Sequence, residues 1–260
     1  MQQFSKEDID ALVMLADEAG LAIMAVYQRA DLGVREKEDL SPLTEADLAA
    51  NAILCRGLAA RWPQVPILTE EGANPFAPGE KPALYWAIDP LDGTREFIKR
   101  NGEFTVNVAL VENGVPVFGL VLAPVLDALY VGAQGQGARL RQGGQWRSIA
   151  CAPAGPVLRV VCSRSHLSQE TLAWIEHLDQ PIERREIGSS LKFCLLAAGE
   201  ADVYPRFGPT CIWDTAAGHG VLAAAGGRVL RSDGAPLRYA EPGQVLNPDF
   251  VAWALPSSLA

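Results

Sequence analysis

Histidine is nearly missing from this chain: only His166, His177 and His219 occur, and neither H-E-x-x-H nor a Walker loop is present. A zinc hydrolase or a phosphate-loop enzyme therefore has little to stand on. Cysteine is sparse and odd in number (Cys55, Cys151, Cys162, Cys194 and Cys211), with no C-x-x-C pair. Reduced core thiols of a cytoplasmic protein are expected, not a disulfide framework. No run of Lys or Arg exists, and the formal net charge is −9. Extended nucleic acid is a poor partner for such a surface. Long apolar runs are missing too: residues 117–123 (VFGLVLA) stop at Pro124, far short of the roughly 20 residues that cross a bilayer. The first ten residues carry acids where a signal peptide needs a basic start. A soluble, cytoplasmic location is expected, with loose attachment to the cytoplasmic face of the inner membrane disfavoured by charge but left open. With so little imidazole, the chemistry is expected to run on carboxylates.

What the chain does have is patterned. Ser5 and Asp8 resemble a capping box, and Ile9, Leu12, Val13, Ala16, Ala19, Ile23 and Met24 recur at helical spacing. This predicts a helix over 6–28, and Thr44 with Asp47 predicts a second one running to about Arg61. The period then changes. Segments 65–69, 84–88, 104–111, 115–122 and 128–131 are β-branched and aromatic, which predicts a largely antiparallel sheet covered by the two helices. After the breaker-rich stretch 151–156, strands near 157–162, 182–187 and 201–206 alternate with helices near 168–178, 189–199 and 214–225, before short terminal strands. The prediction is a mixed α/β (α+β) protein with a boundary near 155: an N-terminal α+β subdomain over 1–155 and a C-terminal α/β subdomain over 156–260.

Acids recur at element ends. Glu70 and Glu71 follow an apolar strand, Asp89 and Asp92 follow another, Asp214 opens a helix and Asp47 sits in a capping box. Singly, each has an ordinary explanation as a cap or a solvated turn. The segment Trp86 to Thr94 (WAIDPLDGT) resists it. Pro90 between two aspartates blocks a helical continuation, and Gly93 and Thr94 offer free N–H groups at the start of the helical stretch 95–99. A bare carboxylate repels a phosphate by about 4 kcal/mol at 4 Å in a surface-like dielectric. The two features are compatible only with a cation between them. Oxygen donors without nearby His or Cys favour Mg²⁺ or Mn²⁺, and several carboxylates suggest more than one ion. Two such ions suit phosphoryl displacement by water.

Residues 69–72 (TEEG), 89–94 (DPLDGT) and 213–227 (WDTAAGHGVLAAAGG) resemble the three signature segments of the inositol monophosphatase superfamily, lithium-sensitive and magnesium-dependent phosphatases. The resemblance runs through nearly the whole chain, in the family's order and spacing. It implies a five-layer αβαβα sandwich. It also implies two to three Mg²⁺ ions, with Mn²⁺ as an alternative, held by Glu70, Asp89, Asp92, Asp214 and the Leu91 carbonyl. Asp47 and Thr94 are implied as the pair that orients the attacking water, with Glu71 assisting from behind, and no phosphoenzyme is expected. Gly93 and Thr94 are implied to hold the phosphate being cleaved, so that the substrate also borders Glu70, Leu91, Asp92 and Asp214.

Specificity must come from the rim of the pocket. Residues 97–107, 163–166, 188–193 and 204–208 look like the bacterial 3'(2'),5'-bisphosphate nucleotidase branch, which acts on adenosine 3',5'-bisphosphate in sulfur metabolism. Where inositol monophosphatases place an acid toward a neutral sugar hydroxyl, this chain has Arg206, which suits a second anionic group. Lys192, Ser189 and Arg164 are expected to complete a pocket for the 5'-phosphate, and His166 to face the base. The ordinary readings are a solvated helix residue for Lys192 and a surface strand charge for Arg206, the binding role being preferred for Arg206. His219 is expected to be structural, and Lys37 resembles a lysine of the family's site loop only loosely. The expected partner is a small phosphorylated nucleotide, and the chain is expected to be a monomer or homodimer. Two alternatives stay open: an inositol or other sugar phosphatase, and a non-catalytic metal or phosphonucleotide sensor.

Overall fold

Two capping boxes start the helices on the N-terminal side. The computed structural model describes residues 4–36 and 42–255; Lys37 and the C-terminal residues 256–260 lie outside the described residues. Ser5 Oγ accepts from the Asp8 N–H at 3.1 Å and Asp8 accepts from the Ser5 N–H at 3.1 Å, which opens α1 (Lys6–Tyr27). Thr44 and Asp47 do the same for α2 (Glu45–Arg61). Both helices bury their apolar stripes against the first sheet, around Leu12, Ala16, Ile23, Leu54 and Leu58.

That sheet has seven strands in the order β3-β4-β5-β6-β7-β8-β9. They span β3 Ile67–Thr69, β4 Leu84–Asp92, β5 Thr105–Glu112, β6 Val115–Ala123, β7 Ala128–Ala133, β8 Gly137–Gln142 and β9 Gln145–Ile149, after a two-residue pair, β1 Arg35–Glu36 and β2 Pro42–Leu43. Only β3 and β4 run parallel; each later neighbour is antiparallel. The strand β9 carries no readable apolar stripe in sequence, because four of its five residues are exposed and cannot contribute to a buried face.

The second sheet has five strands in the order β11-β10-β12-β14-β13: β10 Leu158–Ser163, β11 Ile182–Ile187, β12 Val203–Arg206, β13 Arg228–Arg231 and β14 Phe250–Trp253. Its side chains alternate between two environments. Val160 and Cys162 join Ile175 of α4 (Gln169–Glu176) on one face. Val161, Tyr204 and Phe250 face the other way, toward α5 (Leu191–Ala197) and α6 (Ile212–Ala224). The layers are thus α1 and α2, the seven-stranded sheet, α5 and α6, the five-stranded sheet, and α4. This is the αβαβα sandwich.

Three local departures from the sequence expectation shape the site. The strand β4 does not stop before Pro90 but continues through Asp92 with a bulge. Helix α5 starts at Leu191 and not at 189, because Ser189 has a φ of 49°, a left-handed conformation that a helix cannot include. Helix α6 starts at Ile212, which makes Asp214 its third residue, accepting from the Cys211 N–H at 2.7 Å. That helix lies directly on the first sheet at Gly119, where an added Cβ would stand 2.1 Å from the Ala217 carbonyl oxygen. Glycine at this point lets the backbones approach, and so sets the height of Asp214 above the strand ends.

Candidate active site

Asp89 is paired across the sheet with Asn107, and Asp92 with Thr105. In a regular strand, residues three apart point to opposite faces; the bulge inserts one residue and turns both acids to the same side. Proline is tolerated there because the ladder is already interrupted. The third strand end, Glu70 after β3, and the first turn of α6 converge on the same point. Carboxylate oxygens of Glu70, Asp89 and Asp214 lie within 4.8 Å of one another.

The packing of negative charge leaves its mark on protonation. Burial, then the nearby Glu70, Asp92 and Asp214, pushes Asp89 well above the ordinary carboxylate range. Burial and then Asp92 raise Asp214 to about 8, although the Cys211 N–H works the other way. Asp92 is raised by burial to about 6, with Lys192 and hydrogen bonds from Asn107 and Ser190 opposing the rise. Asp92 Oδ2 accepts from Ser190 N at 2.6 Å and Asn107 Nδ2 at 3.2 Å. Acids packed around the buried Asp89, with Asp89, Asp92 and Asp214 all shifted upward, form a site short of a cation. Hard oxygen donors without sulfur or imidazole fit a divalent metal of the magnesium class. The sequence points to this network weakly but legibly, through polar Thr105 and Asn107 on one face of an otherwise apolar strand.

Asp47 stands behind the cluster. Its Oδ2 takes the Thr44 N–H at 2.7 Å and the Thr44 hydroxyl at 2.5 Å. Thr94 Oγ1 lies 3.4 Å from Asp47 Oδ1 and 3.4 Å from the Leu91 carbonyl oxygen. Gly93, with a φ of 91°, takes a conformation that favours glycine and turns the chain from β4 into α3 (Thr94–Ile98).

A cleft of about 620 Å³ opens over these groups. Glu70, Asp89, Leu91, Asp92, Gly93, Thr94 and Asp214 line it together with His166, Ser189, Lys192 and Arg206. Lys192 is only 4% exposed and Arg206 7%, so neither is a solvated charge. Lys192 Nζ donates to the Ser189 and Ile187 carbonyls and lies over the Tyr204 ring at 5.1 Å. Burial brings Lys192 down to about 8, with Asp92 opposing the fall. Arg206 donates to the carbonyls of His166 at 2.8 Å and Pro209 at 2.7 Å, and so ties two rim loops together. His166 is lowered by burial and then by Arg206 and Arg95.

One residue expected in the pocket is turned away from it. Arg164 does not line the cleft: it forms a two-pronged pair with Glu103 at 2.8 Å for each bond and also donates to the Glu186 carbonyl at 2.6 Å. Glu71, expected behind the site, does not line the cleft; its N–H is bonded to Thr69 Oγ1 at 3.4 Å. His219 is buried beneath the site, 3.1 Å from the Tyr239 hydroxyl, and burial pushes it down to about 3. Its role is structural. The sequence reading missed Glu96, a buried acid in the cleft lining, because a single Glu on a short helix carries no periodic signal.

Known proteins resemble the chain along nearly its whole length. The 3'(2'),5'-bisphosphate nucleotidase CysQ of Escherichia coli strain K12 is 47% identical over 243 residues, covering 93% of this chain and 98% of that protein. The crystal structure of CysQ from Bacteroides thetaiotaomicron, described as a bacterial member of the inositol monophosphatase family, has 38% identity and a TM-score of 0.84, covering 96% of this chain and 98% of that one. An inositol monophosphatase from Anabaena (Nostoc) sp. PCC 7120 has 27% identity and a TM-score of 0.71, covering 94% of this chain and 89% of that one. The sequence pattern of the inositol monophosphatase family matches residues 5–257, and by that match, its αβαβα sandwich and its carboxylate cluster the chain belongs to that family.

Proposed function

We propose that this protein is a metal-dependent 3'(2'),5'-bisphosphate nucleotidase that removes the 3'-phosphate from adenosine 3',5'-bisphosphate and leaves AMP and phosphate. The observation that carries the reading is that three clustered carboxylates and two buried cations, Lys192 and Arg206, share one cleft. Burying two cations is costly unless an anion meets them. Asp92 and Glu96 stand near Lys192 and meet part of this charge; a second anionic group on the substrate would meet the rest. A neutral sugar monophosphate has none. Identity of 47% with a nucleotidase over 93% of the chain supports the same choice.

Glu70, Asp89, Asp92, Asp214 and the Leu91 carbonyl would hold two or three Mg²⁺ ions, or Mn²⁺ in their place. When bound, such ions activate a water and neutralise the leaving oxygen. Asp47, tied by Thr44 and adjacent to Thr94, orients the water through the Thr94 hydroxyl and accepts its proton. Gly93 and Thr94 present their N–H groups to the phosphate being removed. Lys192 and Arg206 supply positive potential to the 5'-phosphate, Arg206 while holding the rim loops. This activity would clear a by-product of sulfate assimilation.

The product tests the reading. Phosphorus NMR of the reaction with adenosine 3',5'-bisphosphate and Mg²⁺ is expected to show inorganic phosphate and 5'-AMP, with no reaction in chelator. Formation of adenosine 3'-phosphate instead, or turnover that survives the chelator, would contradict it.

A further inference from the structure

We propose that Glu96 is a specificity-determining residue that accepts a hydrogen bond from the sugar hydroxyl vicinal to the phosphate being removed. Glu96 lines the cleft yet is only 3% exposed, and it stands outside the Glu70, Asp89 and Asp214 cluster. Its Oε1 accepts from the Ser165 hydroxyl at 2.5 Å. Among the described residues, no side chain pairs with it as a salt bridge and none donates to Oε2. Oε2 is therefore an acceptor that opens into the cleft with no protein donor, where a donor on a bound ligand can reach it.

The position of that oxygen limits what can complete it. A Cβ built on Gly93 would stand 3.4 Å from Glu96 Oε2 and 3.4 Å from Ser189 Cβ, so the free oxygen lies close over Gly93. Ser189, beside it, has a buried hydroxyl without a partner. The inference rests on the nucleotidase reading, in which Gly93 faces the phosphate being cleaved. Any group that reaches Oε2 must then sit within a few ångströms of that phosphate. A carboxylate only accepts, so the group must be a donor. On a nucleoside 3',5'-bisphosphate, the 2'-hydroxyl on the adjacent carbon meets both requirements. The 5'-phosphate has little hydrogen to give at neutral pH, and the amine of the base is too far from the 3'-oxygen. The same argument holds with the phosphate on the 2'-oxygen, since the 3'-hydroxyl is then the vicinal donor. Glu96 would thus serve both regioisomers and disfavour a sugar that lacks the neighbouring hydroxyl.

The test compares adenosine 3',5'-bisphosphate with its 2'-deoxy analogue, in wild type and in Glu96→Ala, by kcat/KM with Mg²⁺. Hydrogen bonds to a charged acceptor correspond to roughly 10- to 100-fold discrimination, so wild type should favour the ribose substrate by about that factor. In Glu96→Ala the ratio should fall to near one. The ratio within one variant does not depend on the fraction folded, and Glu96→Gln, expected to shrink it partially, serves if the alanine variant cannot be purified. Equal turnover of both substrates by wild type would overturn the role of Glu96 and leave the nucleotidase reading standing. Discrimination that persists in Glu96→Ala would do the same. No turnover of either substrate would remove the nucleotidase reading, and this inference with it.

Discussion

Asp89 and Asp92 are three residues apart along the chain but two apart across the sheet, since their partners are Asn107 and Thr105. One inserted residue therefore brings two acids to one face, and the site depends on that bulge. The crowding it creates has a measurable cost. Asp89→Asn removes a buried carboxyl that the fold holds well above its ordinary range and is expected to raise the melting temperature of the metal-free protein while reducing turnover by at least about 100-fold. Calorimetry with chelator and a phosphate-release assay read the two effects. A variant that lost stability and kept its activity would contradict the assignment of Asp89 as a ligand.

The same crowding fixes a pH dependence. The carboxyl of Asp214 is raised from 3.8 to about 8 and that of Asp92 to about 6. A folded-state pKa above the unfolded value means that the native protein holds the proton more tightly. The stability it contributes is present below the unfolded pKa and is lost as pH rises through the folded one. In chelator, the protein should therefore melt lower at pH 8 than at pH 6. Added Mg²⁺ binds the ionised cluster, so its stabilising effect should be larger at pH 8. Melting curves at the two pH values, with and without Mg²⁺, decide this; an equal Mg²⁺ effect at both would speak against the cluster as the binding site.

Asp47 and Thr94 are predicted to act on the chemical step. Thr94→Ala should lower kcat by about 10²- to 10⁴-fold, the range of a lost general-base arrangement, with little change in KM. Thr94→Ser keeps the hydroxyl and should retain most of the rate. A rise in KM with kcat intact would instead assign Thr94 to substrate binding alone.

Much of this was legible in the sequence, and the limits have physical causes. Capping at Ser5 and Thr44 and the apolar periods of the first two helices carried directly into structure, since local hydrogen bonds and one buried face suffice to define them. The acids at strand ends were legible because a proline between two aspartates has no ordinary helical explanation. The continuation of β4 through Asp92 was not, because a bulge is defined by the partner strand and leaves no mark on its own residues. Arg164 was misplaced for a related reason: a guanidinium near a phosphate site reads as a phosphate ligand until the position of Glu103, 61 residues away, is known. The start of α5 was read two residues early, since the left-handed turn at Ser189 has no glycine to announce it.

Gly119 offers a test of how the fold sets the site. An added Cβ would meet the Ala217 carbonyl oxygen at 2.1 Å and the Val221 nitrogen at 2.8 Å, both backbone atoms of α6. Gly119→Ala must therefore push the helix off the sheet, at a cost of about 1–3 kcal/mol. Because Asp214 rides on that helix, the variant should also need more Mg²⁺ for half-maximal activity. Loss of thermal stability with an unchanged Mg²⁺ requirement would show that the height of α6 does not govern the cluster.

The most direct measurement is phosphate release from adenosine 3',5'-bisphosphate and from myo-inositol 1-phosphate side by side, with Mg²⁺ and with chelator, in wild type and in Arg206→Glu. The account predicts Mg²⁺-dependent release that strongly favours the nucleotide, and a variant that loses more of its nucleotide turnover than of its inositol phosphate turnover. Preference of the wild type for inositol phosphate would contradict the pairing of Lys192 and Arg206 with a second phosphate, and no Mg²⁺-dependent release from either would contradict the carboxylate cluster as a catalytic centre.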